Sequence, residues 1–255
     1  MPYFTDIREA KRYARNRPYF HPLTITRAKE ALGIEGSVGI ALDVACGTGQ
    51  SAAALTSVAD MVIGLDISWG MLTAAMPNKQ IRYVQARAEA VPFPDGLVPV
   101  LSCALAIHWF AREQFLGEAW RILSDEGLLL IYNNGFTGIM REDPAFQNWS
   151  QKVYGEHFPA PARDSKPLTP EEAAASGFVF IDEEKYENEV RFTPEELVAY
   201  LATQTNVVAA VVGGRESIDS ASRWLLDQVR PYFPYEKATF IFRTKAWYLR
   251  KGRFR

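Results

Sequence analysis

The chain is poor in the side chains that build metal centres and covalent cross-links. Among 255 residues there are two cysteines, Cys46 and Cys103, and three histidines. The cysteines lie far apart at the ends of predicted strands, with neither metal-ligand spacing nor a disulfide framework. They read as small buried residues. No pair of histidines and no acidic cluster has the spacing of a metal site, so no resident metal is expected. No apolar run reaches the roughly 20 residues of a membrane span. The N-terminus carries charges throughout and has no apolar core, unlike a signal peptide. A cytoplasmic chain without membrane partners is expected, either a monomer or a weak homodimer. A basic excess is also missing: 28 Lys and Arg against 30 Asp and Glu leave a net charge of −2. That argues against a broad electrostatic grip on nucleic acid. There is no internal repeat and no low-complexity tract, and the length allows a sizeable core.

What is present is organised around Leu42-Asp43-Val44-Ala45-Cys46-Gly47-Thr48-Gly49-Gln50. Residues 40–45 are a short apolar run that reads as a buried strand. Gly47 and Gly49 turn the chain, and residues 50–55 have helix-forming composition. Strand, glycine turn and helix form the pattern of a nucleotide site in a doubly wound sheet. Glycine lets the backbone approach a ligand, and the helix start offers unpaired N–H groups. Gly47-x-Gly49-x-x-Ala52 also fits a relaxed dinucleotide fingerprint. Asp43 shifts that reading, because a carboxylate beside the turn repels a pyrophosphate and suits an ammonium group. Residues 61–66 read as the next strand, with Asp66 at its carboxyl end. A ribose diol is held about there, roughly twenty residues past the turn. A carboxylate can accept from both ribose hydroxyls. The alternative is that Asp66 only caps the helix near Ser68, a task Ser68 can perform itself.

The rest of the chain alternates in the same way. Helices are predicted over 6–15, 24–32, 69–76 and 112–123, and strands over 81–85, 98–104 and 128–132. Residues 17–22, Arg17-Pro18-Tyr19-Phe20-His21-Pro22, cannot continue the first helix, since each proline disfavours helix in its predecessor. Tyr3, Phe4, Tyr13, Tyr19 and Phe20 crowd this end with four arginines, as a packing arm or a lid. Later segments read as a helix over 144–154, a proline-rich stretch over 159–170 and a strand over 178–192. Helices over 197–212 and 217–229 and a last strand over 238–249 follow, and the tail over 243–255 is basic. Thr-Pro-Glu-Glu at Thr169 and again at Thr193 marks two helix starts.

Five stretches, in this order, resemble the class I S-adenosylmethionine-dependent methyltransferases. They are Leu42 to Gly49, Gly64-Leu65-Asp66-Ile67-Ser68, Ala88-Glu89-Ala90-Val91-Pro92-Phe93, Ala106-Ile107-His108-Trp109-Phe110, and Arg121 to Gly127. The resemblance covers roughly residues 38 to 133. The fourth stretch is similar to a small-molecule branch that includes trans-aconitate methyltransferase relatives. The resemblance implies an α/β fold: a doubly wound, seven-stranded, mostly parallel Rossmann-like sheet with helical cap insertions and a last strand inserted antiparallel. It implies a single domain over 1–255. Within it lie a lid arm over 1–22, a cofactor-binding core over 23–135, cap insertions over 136–177 and 193–235, and last strands over 178–192 and 237–250. The implied cofactor is S-adenosyl-L-methionine and the implied partner a small-molecule methyl acceptor, methylated on a carboxyl or hydroxyl oxygen. A catalytically silent S-adenosylmethionine-binding protein and an RNA methyltransferase are the alternatives. A nicotinamide oxidoreductase is opposed by Asp43.

The candidate site residues follow from these stretches. Asp43, Ala45, Gly47 and Gly49 belong to the first turn, and Asp66 and Ile67 to the end of the second strand. Met71 packs on the adenine or in the core. Ala88 offers its backbone N–H to a ring nitrogen. Beside it, Glu89 matches the family's recurrent acid and reads as structural. Arg87 stands where relatives often carry an acid. Ala104 ends the fourth strand, and Arg17 of the arm would pair with the cofactor's carboxylate. His108 and Trp109 are the catalytic candidates, at a strand's carboxyl end where open sheets bind ligands. His108 is the available general base, and core packing is the alternative for both. Relatives often carry Gln or Asn at the position of Leu105, so this pocket is more apolar. Phe136, Ile139, Met140, Phe146, Trp149 and Val208 are expected to roof a small acceptor pocket. Arg141 either orients an anion or forms a surface salt bridge.

Overall fold

The computed structural model describes residues 4–162 and 166–252. Tyr3 of the predicted arm, part of the proline-rich stretch (163–165) and the end of the basic tail (253–255) lie outside the described residues. Seven strands form one sheet in the order β3-β2-β1-β4-β5-β7-β6. They are β1 Ile40–Val44, β2 Met61–Asp66, β3 Ile81–Gln85, β4 Val98–Ala104, β5 Leu123–Met140, β6 Phe178–Phe192 and β7 Ala238–Lys251. The strands from β3 across to β5 pair in parallel. β7 runs antiparallel to β5: Asn134 meets Thr244, Thr137 meets Ile241 and Arg141 meets Thr239, one number falling as the other rises. The implied doubly wound, mostly parallel sheet with an inserted antiparallel strand is the observed one.

The helices are α1 Ile7–Asn16, α2 His21–Leu32, α3 Gln50–Leu55, α4 Trp69–Thr73, α5 Arg112–Ile122 and α6 Ala145–Asn148. After a π-helical turn, Trp149–Tyr154, come α7 Gly155–His157, α8 Pro170–Ala175, α9 Pro194–Leu201, α10 Thr205–Val212 and α11 Ile218–Val229. α2 begins at His21, three residues before the predicted start. Pro22 sits in the first turn, where its missing N–H costs no hydrogen bond. The helix predicted over 197–212 is broken between α9 and α10. Thr193 and Glu196 form the full capping box that the sequence signalled.

Two compact units divide the described chain. One holds residues 19–133, 166–185 and 245–252, and the other 4–18, 134–162 and 186–244. In the first, strand alternation sends Leu42, Ile63, Leu101 and Ile131 to one face, against Phe115, Leu116 and Ala119 of α5. It sends Ala41, Val62, Val100 and Leu130 to the other, against Ile25 and Ala28 of α2 and Leu55 of α3. Helices therefore cover both faces of the parallel strands, as their unbroken apolar character requires. The second unit has its own aromatic core of Phe146, Trp149, Phe192, Tyr200, Phe240 and Phe242. Among the described residues no helix is long and apolar enough to cross a membrane.

Candidate active site

β1 delivers the chain into three left-handed residues at alternate positions: Ala45 at φ 55°, Gly47 at 55° and Gly49 at 82°. A Cβ on Gly49 would lie 2.1 Å from the Tyr83 hydroxyl oxygen, so both backbone and space demand glycine there. At Gly47 the nearest atom, Met71 Cε, would be 3.4 Å away, and the demand is the backbone's alone. The turn is held by Cys46 N–H donating to Leu65 O at 3.0 Å and Met76 N–H donating to Thr48 O at 3.1 Å.

Asp66 ends β2 on the same turn. Its carboxylate accepts from Gly47 N–H at 2.9 Å and Ser68 N–H at 2.8 Å. Burial raises its pKa, and these N–H groups lower it. Ser68, not Asp66, caps α4, accepting from Met71 N–H at 3.2 Å. Asp66 is therefore more than a cap: it ties the second strand to the glycine turn. Its oxygens retain acceptor capacity for hydroxyl donors. Beside it Ile67 and Trp69 stand 47% and 67% exposed, an apolar surface next to a carboxylate. Trp69 carried no signal in the sequence beyond its place in a helix.

Asp43 corrects an expectation. It is 0% exposed, so no ligand ammonium reaches it directly. Its carboxylate instead accepts from Ser51 Oγ and Ser102 Oγ, both at 2.5 Å. Burial raises its pKa, the Ser102 and Ser51 hydroxyls lower it, the nearby Asp66 charge raises it and the Ala52 N–H lowers it, with a net rise to about 7. Ser51 and Ser102 went unnoticed in the sequence because nothing local links a helix and a neighbouring strand to β1. Thr48 was also missed. It is buried, and its hydroxyl has no hydrogen-bond partner.

β4 ends at Ala104, which is buried. Leu105 then turns into the left-handed region at φ 58°, its N–H donating to Tyr132 O at 2.8 Å. Asn adopts that conformation more readily than Leu. His108 and Trp109 follow in a short 3-10 turn, both half-buried, with ring centroids 4.8 Å apart. Trp109 also packs against the sheet core. Ala88 is buried in that core. Glu89 accepts from Ala111 N–H at 3.2 Å, just before α5, and pairs with Arg87 at 3.7 Å, which gives it a structural task.

Arg17 lies in the other unit. Its guanidinium donates to Thr203 O at 2.8 Å and stacks on the rings of Tyr13 and Tyr200. The expected pocket roof is corrected too. Met140, Phe146, Trp149 and Val208 are buried, and Phe136 packs among Tyr200, Phe240 and Phe242. Ile139 lines a surface recess of about 340 Å³. Arg141 forms a salt bridge with Glu189. Among the described residues no group of three or more His, Cys, Asp or Glu is placed to hold a metal ion.

A family model described as a methyltransferase domain matches residues 42–131, from the middle of β1 into β5. This stretch of the chain is similar to a methyltransferase domain. A protein of Dictyostelium discoideum named as a methyltransferase is 30% identical over 119 residues, 47% of this chain and 43% of its own. The chain spans about half the length, or less, of the first curated relatives it matches. A structure described as a type II methyltransferase from Anaeromyxobacter dehalogenans superposes with a TM-score of 0.68 at 19% identity, covering 90% of this chain and 97% of that one. Phosphoethanolamine N-methyltransferase 2 of Haemonchus contortus, solved with S-adenosylhomocysteine, gives 0.52 at 18% identity, covering 91% and 52%.

S-adenosylmethionine is the cofactor that the sequence resemblance implies, and the residues present would fit it. Glycine leaves the turn open to a ligand at Gly47, Asp66 can accept from hydroxyls, and the buried Thr48 hydroxyl lacks a partner. When bound, the cofactor would supply a methyl group already activated by a sulfonium. The protein's part is to align the acceptor and exclude water.

Proposed function

We propose that this chain transfers a methyl group from S-adenosylmethionine to an oxygen of a small carboxylic or hydroxylic acceptor. The carrying observation is the glycine turn joined to Asp66 by the Gly47 N–H, in the unit where β4 delivers His108. Asp66 would hold the ribose hydroxyls, Ile67 and Met71 the adenine, and the backbone over 45–49 the methionine part. Ala88 N–H is assigned to a ring nitrogen. Ala104 closes the floor of the site. His108 accepts the acceptor's proton when the acceptor is a hydroxyl, and Trp109 shapes the apolar wall beside it. A carboxylate acceptor needs no base.

The reading is tested by calorimetry with S-adenosylmethionine and NAD side by side, then by a methyl-release screen over small acids, phenols, amines and tRNA. Binding of the first ligand alone, with turnover on a small acid or phenol, is the expected result. Turnover only on tRNA would replace the acceptor class. Binding without any turnover would favour a silent cofactor-binding protein.

A further inference from the structure

We propose that Ser51 and Ser102 are positioning residues that keep Asp43 ionised behind the glycine turn, so that its charge favours the sulfonium cofactor over its neutral demethylated product. This rests on the methyltransferase reading above and deepens it. Ser51 Oγ donates to one oxygen of Asp43 and Ser102 Oγ to the other, each at 2.5 Å. Two hydroxyl donors on two oxygens suit a carboxylate, whereas a protonated acid uses one oxygen for its own hydrogen. All three side chains are buried. They come from β1, α3 and β4, so three elements fix the geometry.

No cation compensates this charge among the described groups that face it. Those groups are Asp66 on β2, Cys46 in the turn, Cys103 on β4 and Tyr83 on β3. An uncompensated buried carboxylate is costly in a fold with no use for it. A ligand carrying a fixed positive charge would use it. S-adenosylmethionine and S-adenosylhomocysteine differ by one methyl group and that charge, so their relative affinity reads the field behind the turn. Burial and the Asp66 charge push the Asp43 carboxyl up, and the two serine hydroxyls and the Ala52 N–H oppose them, which leaves it at about 7. Without either hydroxyl the carboxyl would take up its proton at higher pH.

The test is calorimetry of the full chain with both ligands across neutral pH, for wild type, Ser51→Ala, Ser102→Ala and Asp43→Asn. In wild type the preference for S-adenosylmethionine should strengthen roughly tenfold as pH rises through the Asp43 titration. Each serine variant should move that step to higher pH, and Asp43→Asn should remove it. The same pH profile in wild type and Asp43→Asn overturns the proposal, as does an unmoved step in folded serine variants. If those variants do not fold, carbon NMR of aspartate-labelled wild type without cofactor decides. An Asp43 carboxyl that is ionised at and above neutral pH supports the clamp, and one that stays protonated well above neutrality overturns it. Binding of both ligands with a flat preference removes this proposal alone. Failure of either ligand to bind at any pH removes the methyltransferase reading with it.

Discussion

Ala45 carries a Cβ where its neighbours Gly47 and Gly49 carry none, in the same left-handed backbone region. That conformation costs an L-residue about 1–2 kcal/mol. Ala45→Gly should therefore raise the unfolding free energy by roughly 0.5–1 kcal/mol, after the added chain entropy of glycine is subtracted. Urea unfolding of the two proteins checks this. Asp66→Ala should lose about 1–3 kcal/mol of cofactor affinity, since it removes a charged acceptor and frees the Gly47 N–H. Unchanged affinity in calorimetry would refute the assignment. Asp43 has a sign of its own. Its pKa rises from 3.8 to about 7 on folding, so the folded state holds a proton that the unfolded chain has released between those values. The stability it contributes is present below about pH 4 and is lost as pH rises through 7. Asp43→Asn should flatten that part of the unfolding profile. The glycines and Asp66 were legible in sequence because their meaning lies in local spacing. The serine clamp was not, because residues 43, 51 and 102 meet only after β1, α3 and β4 have packed.

Several strands were legible to the residue: β2, β3, β4 and β6 have their predicted bounds, from the buried β4 to the largely solvent-facing β6. β5 was read too short at both ends, for different reasons. The turn chemistry at Glu126 and Gly127 is real, with Glu126 at φ 61°, but the strand absorbs it as a bulge. Val98 faces Leu123 and Val100 faces Leu128, so the extra residues bow out without ending the pairing. At the other end Asn133 and Asn134 looked like a stop. The Asn134 Nδ2 group donates to Thr244 and Asn188, however, and the strand continues against β7. α2 carries a buried histidine that the sequence did not single out. His21 bonds the Tyr132 hydroxyl at 2.8 Å, and burial lowers its pKa from 6.5 to about 3. Between those values the unfolded chain binds the proton and the folded one does not. The stability that α2 gains from a neutral His21 is present above pH 6.5 and is lost as pH falls toward 3. His21→Asn should show a shallower acid slope than wild type in urea unfolding.

For the whole molecule, a net charge of −2 and three histidines leave few ways to hold or deprotonate an acceptor. A polyanion would need a basic balance that the chain does not have. Arg141 and Arg243 are already engaged, with Glu189 and Glu187. Of the histidines, His21 is buried on Tyr132, and His157 bonds Glu216 at 2.5 Å and stacks on Trp224. His108 is thus the histidine at the carboxyl end of a sheet strand with a half-exposed ring. That placement separates two chemistries. If the acceptor is a hydroxyl, His108→Ala should lower turnover roughly 10²-fold or more at neutral pH, the contribution of a positioned base. The wild-type rate should then rise with pH as the imidazole loses its proton, and that rise should vanish in the variant. If the acceptor is a carboxylate, the nucleophile is already ionised, and the variant should keep most of its rate. Steady-state methyl-release assays on a phenol and on a small dicarboxylic acid, with wild type and His108→Ala, distinguish the two. Equal loss on both acceptors, with no change in pH profile, would make His108 a packing residue and leave alignment of the acceptor as the protein's whole contribution to the transfer.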